Sequence, residues 1–132
     1  MIAVKIRPYV VALATLVTLA GTSEAKILAS GPLYSANGPA GGQFVCRIFN
    51  AGLTSVSMSL RQIITNTTVV LPLISDTCNV ALAPGRYCQF IATIPGNLAF
   101  SCRAFVIGTD TEVRGTAQIQ NGATVLNTTP MQ

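Results

Sequence analysis

The chain has 132 residues, four cysteines and no histidine or tryptophan, and its eight lysines and arginines against four acidic residues give a net charge of +4. The absence of histidine excludes Ser-His-Asp and Cys-His nucleophile systems and metal sites built on histidine. The basic residues are scattered singly and are not grouped with aromatic residues, which argues against nucleic-acid binding.

The first 25 residues have the three parts of a secretory signal peptide: a positively charged start, an apolar run and a short polar end. The apolar run is shorter than the roughly 20 residues that a membrane-spanning helix needs. Ser23 and Ala25 are the small residues that precede a cleavage site, so we predict a cut between Ala25 and Lys26. We expect residues 26–132 to form one secreted or periplasmic domain with six basic and three acidic residues, a net charge of +3.

After the signal, short apolar segments alternate with turn residues, a pattern typical of an all-β sandwich or barrel. The predicted strands are 27–30 with 33–34, 43–50, 55–64, 68–71, 86–94, 98–107, 111–120 and 123–127. Pro72 makes the strand at 68–71 a candidate sheet edge. We expect residues 76–79 to form a loop and residues 128–132 to fray.

Side chains alternate between the two faces of a strand, so period-two patterns assign the core-facing residues. The predicted core faces are Phe44, Cys46 and Ile48; Cys88, Phe90, Ala92 and Ile94; and Phe100, Cys102, Ala104 and Val106. In the segment 55–64, the apolar residues Val56, Met58 and Leu60 alternate with polar ones, which predicts a strand with one solvent-exposed face. Asn121-Gly122 predicts a type I′ hairpin.

Seven or eight short strands with no helix after the signal helix predict a two-sheet antiparallel sandwich of immunoglobulin-like type. The tryptophan that packs in the core of antibody domains is missing, so a true antibody-type domain is not expected. A small closed barrel is the alternative architecture.

Four cysteines after a signal peptide predict two disulfides formed in an oxidising compartment. Cys46 and Cys102 fall inside two apolar strands and are placed to join facing sheets. Cys78 and Cys88 flank a short loop and are placed to close it locally. Three pairings are open, and these positions favour Cys46–Cys102 with Cys78–Cys88. We expect no zinc site, because the chain has neither Cys-x-x-Cys nor histidine.

Three segments carry a resemblance: Phe44-Val-Cys-Arg-Ile-Phe-Asn-Ala-Gly52, Leu82-Ala-Pro-Gly-Arg-Tyr-Cys-Gln-Phe90 and Ala99-Phe-Ser-Cys-Arg-Ala104. The chain resembles a group of small exported bacterial proteins of unknown function, in which a cysteine likewise precedes an Asn-Ala-Gly turn and a Leu-Ala-Pro-Gly turn leads into a Cys-x-Phe strand. The Leu-x-Pro-Gly segment also resembles a turn of bacterial immunoglobulin-like modules. The resemblance covers most of residues 27–126. It implies a bacterial source and a sandwich fold, and it implies no activity.

The sequence offers one group of titratable residues, in which Asp110 and Glu112 lie close to Arg114. A paired-carboxylate glycosidase needs two such acids, but a turn aspartate followed by an exposed Glu–Arg pair is the favoured interpretation. Phosphate-binding loops and nucleophile motifs do not occur. We therefore predict no catalytic residue, no cofactor and no metal.

The favoured hypothesis is a non-enzymatic interaction or structural module, secreted or periplasmic, whose partner is another envelope or extracellular protein. Strand edges, such as the one at 68–71, and end loops are the expected contact surfaces. A second hypothesis is a small secreted inhibitor or effector that presents Arg86 and Tyr87 on the Cys78–Cys88 loop. A third is an enzyme of an unfamiliar kind, for which Asp110, Glu112 and Arg114 are the candidate residues. A β-barrel that binds a small ligand is a further alternative. Tyr34, Tyr87 and Phe105 are candidates for a recognition patch, although such aromatic residues more often lie in the core or at a sheet edge. We expect no nucleic-acid partner and no membrane span in the mature chain.

Overall fold

The computed structural model describes residues 24–34, 41–109 and 112–132, and the predicted signal through Ser23 lies outside these ranges. The described residues form nine strands and contain no helix. The strands are β1 (Glu24–Ala29), β2 (Leu33–Tyr34), β3 (Gln43–Asn50), β4 (Ser57–Thr65), β5 (Ser75–Asp76), β6 (Tyr87–Thr93), β7 (Ala99–Gly108), β8 (Val113–Asn121) and β9 (Thr124–Met131).

The first sheet is built around β7, which pairs antiparallel with β4 on one edge and with β1 and β2 on the other. Ser30 joins the two short strands, because its backbone N–H donates to the carbonyl of Cys102 and its hydroxyl accepts from the N–H of Cys102. β1 and β2 therefore act as one edge strand with an interruption between them.

The second sheet has five antiparallel strands in the order β5-β6-β3-β8-β9. β3 lies at its centre and has the bounds that the alternation of residues 43–50 predicts. β6, β7 and β8 also lie where strands are predicted, with ends that differ by one or two residues.

The two sheets pack face to face in a β-sandwich-like fold. The three core faces predicted from alternation are buried, and the rings of Phe44 on β3 and Phe100 on β7 lie 5.4 Å apart between their centroids. The Cys46–Cys102 disulfide joins the same two strands, so it links one sheet to the other through the core. The Cys78–Cys88 disulfide closes a local loop, and the two pairs are those that the sequence positions favour.

The C-terminal segment is part of the second sheet, so the prediction that residues 128–132 fray is wrong. β9 pairs with β8 as far as Met131, whose side chain is buried. Gln132 then exchanges two backbone hydrogen bonds with Ala29, at 2.9 and 3.0 Å. The segment is ordered because it joins the edge of one sheet to the edge of the other.

A β-bulge between Met58 and Leu60 interrupts the alternation predicted for β4. Met58 is buried as expected, but Leu60 is only partly buried and the next core residue is Ile63. The extra residue shifts the parity of the strand, and Arg61 consequently reaches Asp76 at 2.6 Å. Asp76, predicted to lie in a loop, belongs to the short strand β5 at the edge of the other sheet.

The β8–β9 turn lies one residue later than predicted. Asn121 pairs with Thr124, so the two turn residues are Gly122 and Ala123 rather than Asn121 and Gly122. Of these two, only Gly122 has a positive φ, 58°. A positive φ at the first turn position alone is the pattern of a type II′ hairpin and not of the predicted type I′.

Candidate functional site

The outer face of the five-stranded sheet brings two aromatic residues and two arginines together. Phe44, Cys46 and Ile48 of β3 point into the core, so Arg47 and Phe49 point outward. The strand register places Phe49 directly between Tyr87 of β6 and Arg114 of β8. Residues that are opposite each other on neighbouring strands share a face. We name the surface formed by Arg47, Phe49, Tyr87 and Arg114 the aromatic–arginine face.

The aromatic–arginine face is open to solvent. Tyr87 is 69% exposed and Phe49 is 43% exposed. Arg47 lies in the next row, between Gln89 and Thr116, and its Nε donates to the side-chain oxygen of Gln89 at 3.2 Å. The face surrounds a shallow hollow of about 260 Å³. Its walls combine ring surface with guanidinium groups.

A buried asparagine fixes the strand ends that carry the two aromatic residues. Asn50 is fully buried, and its side-chain amide donates to the carbonyls of Thr54 and Leu82 at 2.8 and 2.9 Å. Its side-chain oxygen accepts from the N–H of Gly52 at 3.0 Å. Its backbone N–H donates to the carbonyl of Arg86, the residue before Tyr87. The Asn-Ala-Gly and Leu-Ala-Pro-Gly turns therefore form one hydrogen-bonded unit beside the aromatic–arginine face.

The local disulfide anchors the same end of β6. Cys78 and Cys88 are both buried, and their Cα atoms lie 5.1 Å apart. Cys88 follows Tyr87 directly, so the exposed tyrosine is held between a disulfide on one side and the hydrogen-bonded turn on the other. The aromatic–arginine face thus lies beside a disulfide and a hydrogen-bonded pair of turns.

The lining of the aromatic–arginine face carries positive charge and no carboxylate. Asp76 is engaged elsewhere, by Arg61 at 2.6 Å and by the N–H of Cys78 at 2.9 Å. The described residues give Arg114 no ion-pair partner. An acidic group that entered the hollow would meet two guanidinium groups and no carboxylate in its lining. Arg114 also borders a second hollow, whose lining includes Glu24 and Glu112.

A second, larger hollow of about 700 Å³ lies between β1 and the start of β8. Its charged lining is mixed, with Glu24, Lys26, Glu112 and Arg114. It also contains the start of β1, where Ala25 pairs with Ile107 and Lys26 with Val106. The predicted cleavage bond between Ala25 and Lys26 therefore lies within a paired strand.

The structure separates the aromatic residues that the sequence singled out. Tyr87 belongs to the aromatic–arginine face, whereas Tyr34 and Phe105 lie on the other sheet. The alternation of residues 43–50 puts Phe49 on the face opposite Phe44, Cys46 and Ile48, but its position beside Tyr87 depends on strand register, which the sequence does not reveal. Of the acidic pair, Asp110 lies outside the described residues. The backbone carbonyl of Glu112 accepts a hydrogen bond from the N–H of Ala51.

The remaining predicted contact surfaces are also located. Residues 69–71 fold back on β4, with hydrogen bonds from Thr65 N–H to the Val69 carbonyl and from Leu71 N–H to the Ile63 carbonyl. They occupy the outer edge of the first sheet at that point, and Arg86 is exposed at the turn that precedes β6. Among the described residues, no group of three or more potential metal ligands comes together.

Within the same described ranges, no helix has the length and apolarity needed to cross a membrane. Comparison of the chain with protein-family models, curated proteins and solved structures finds no match in any of the three.

Proposed function

We propose that this chain is an exported, disulfide-stabilised binding module without enzymatic activity, which contacts a partner protein in the periplasm or outside the cell through its aromatic–arginine face. The observation that carries the proposal is the exposed Phe49–Tyr87 pair flanked by Arg47 and Arg114. Aromatic residues and arginine are the residue types that most often dominate the binding energy of protein interfaces.

The exposure of apolar surface to water supports a binding role for this face. Two exposed aromatic side chains on neighbouring strands leave apolar surface in water, where it contributes nothing to the core. The hydrogen bonds of Asn50 and the Cys78–Cys88 disulfide hold the strand ends beneath them. A rigid surface loses less conformational entropy when it binds, so this arrangement favours recognition.

Export is supported by the two disulfides, because such bonds are rare in the reducing cytosol. The signal-like segment and the resemblance to exported bacterial proteins point the same way. An immunoglobulin-like type of sandwich is supported by the Cys46–Cys102 disulfide, since a disulfide between sheets is also a feature of antibody domains. A small-ligand barrel has less support, because the described core is filled by large side chains such as Phe44, Phe90 and Phe100.

Photo-crosslinking in the producing cells tests this proposal. A photoreactive phenylalanine analogue replaces Tyr87 in one variant and Tyr34 in a matched control. Tyr34 is 60% exposed but lies on the other sheet. We expect a discrete adduct from position 87 and none from position 34, measured as a mass shift and identified by mass spectrometry. Adducts of equal yield from both positions, or none from position 87, would contradict the proposed function.

A further inference from the structure

The size of the hollow in the aromatic–arginine face indicates what kind of group it accepts. Its volume of about 260 Å³ lies below the roughly 300–1,000 Å³ of typical small-molecule sites. It is comparable with the space occupied by one large side chain. The rings of Phe49 and Tyr87 supply the apolar part of the lining, and an apolar or aromatic side chain is the group that gains most from covering them.

The two arginines indicate which residues of a ligand would lie on either side of the side chain that fills the hollow. Arg114 lies in the same row as Phe49, one strand away, and Arg47 precedes Phe49 by two residues on β3. Neighbouring strands lie about 5 Å apart, which separates Arg114 from Phe49, and two residues along a strand span about 7 Å, which separates Arg47 from Phe49. One short extended peptide therefore spans both guanidinium groups while its central side chain sits in the hollow.

A neutral partner would remove water from both guanidinium groups without compensation, which costs free energy. Carboxylates compensate that cost, because arginine donates two parallel hydrogen bonds to a carboxylate. The net charge of +3 on residues 26–132 also steers acidic partners toward the domain. Charge complementarity thus selects an acidic ligand.

We propose that the aromatic–arginine face recognises a polypeptide segment in which one aromatic or large apolar side chain is flanked by aspartate or glutamate. This inference rests on the proposed function and names the ligand class of the same site. The central side chain fills the hollow over Phe49 and Tyr87, and the flanking carboxylates bind Arg47 and Arg114.

The probe is a fluorescein-labelled peptide with a single phenylalanine flanked on both sides by aspartate and glutamate. Two matched peptides replace the acids by asparagine and glutamine, or the phenylalanine by alanine. Binding to the full mature domain is measured by fluorescence anisotropy. We expect the acidic phenylalanine peptide to bind at least about 10-fold more tightly than either control. Its affinity should fall as salt rises from about 50 to about 500 mM, because salt screens exposed charges.

Protein variants then locate the binding. Arg114→Gln should weaken binding of the acidic peptide about 10-fold, because one charge-assisted contact is lost. Arg103→Gln makes the same change in net charge on the outer face of the other sheet, where Arg103 contacts Gln62, and should leave affinity unchanged. Tyr87→Ala should weaken binding and Tyr34→Ala should not. Circular dichroism and thermal unfolding show whether each of these exposed variants is folded.

Three outcomes would overturn the inferred ligand class: equal affinity for the amide peptide, equal loss in Arg114→Gln and Arg103→Gln, or tighter binding of an oligogalacturonate than of the acidic peptide. The last result would indicate an acidic polysaccharide instead. If position 87 crosslinks a partner in cells but the acidic peptide shows no preference, the ligand class is wrong and the proposed function stands. If both experiments are negative, both proposals fail.

Discussion

Asn50 shows how one polar residue organises the surface next to it. It is fully buried in a β-sandwich-like core, yet each of its side-chain hydrogen-bonding atoms contacts a backbone group of a turn. Buried polar groups are tolerated when they are satisfied in this way. The Asn50-Ala-Gly52 and Leu82-Ala-Pro-Gly85 turns meet at this residue, which gives both motifs a structural reason.

We predict that Asn50→Ala destabilises the protein by about 3 kcal/mol, because the Thr54 and Leu82 carbonyls and the Gly52 N–H lose their buried partner. Urea unfolding followed by circular dichroism measures the change. Asn127→Ala is the matched control, because Asn127 is exposed and its side-chain oxygen accepts a hydrogen bond from the next backbone N–H, of Thr128, at 2.9 Å. That change should stay within about 0.5 kcal/mol. A similar small effect at position 50 would contradict the role of Asn50.

At the scale of single elements, β8 and β9 approach each other so closely that one position requires glycine. Gly115 on β8 lies opposite Met131 on β9. A Cβ atom at Gly115 would lie 2.7 Å from the Met131 sulfur and 2.9 Å from its Cβ. The methionine side chain therefore occupies the space that any other residue at position 115 needs, and this contact fastens the C-terminal strand to the sheet.

We predict that Gly115→Ala lowers stability by about 1–3 kcal/mol through overpacking. The double variant Gly115→Ala with Met131→Ala should lose less than the sum of the two single changes, since truncation removes the closest contact, at 2.7 Å to the sulfur, and leaves the one at 2.9 Å to the Cβ. Gly31→Ala is the control, because nothing lies within 4 Å of the added Cβ. Additive effects in the double-mutant cycle, measured by urea unfolding, would show that the two residues do not compete for space.

The sequence predicts those features of the strands that depend on neighbouring residues, and it does not predict those that depend on pairing between distant segments. Alternation is a local pattern, so it predicts the core positions of Phe44, Phe90 and Phe100, and all three are buried. The bulge after Met58 changes which side chains of β4 face the core, and no sequence motif marks it. The burial of Met131 depends on its pairing with Gly115 and Ser30, which are distant in the sequence. The placement of Phe49 beside Tyr87 is likewise a matter of register between distant segments.

At the scale of the whole molecule, the two disulfides constrain the chain over very different lengths. Cys46 and Cys102 are separated by 56 positions and join the two sheets, whereas Cys78 and Cys88 are separated by 10 and close one loop. In the chain-entropy account, a cross-link over a longer loop removes more freedom from the unfolded chain. The inter-sheet bond should therefore contribute more to global stability.

We predict that replacing Cys46 and Cys102 by alanine costs about 4 kcal/mol, against about 2.7 kcal/mol for the same change at Cys78 and Cys88. Urea unfolding of both double variants under oxidising conditions measures the difference. The crosslinking yield at position 87 should respond in the opposite order, because Cys88 directly follows residue 87 on β6, whereas Cys46 and Cys102 lie on other strands. Greater stability loss from the local pair would contradict this division of roles.

The placement of the tyrosines also has a spectroscopic consequence. The chain has no tryptophan and three tyrosines, of which Tyr9 lies in the predicted signal and the other two lie on different sheets. If cleavage occurs as predicted, Tyr34→Phe leaves Tyr87 as the only tyrosine, and excitation at wavelengths that phenylalanine does not absorb then selects its emission. Quenching or enhancement of that emission then reports occupancy of the aromatic–arginine face without any attached dye, because the other sheet carries no tyrosine in this variant.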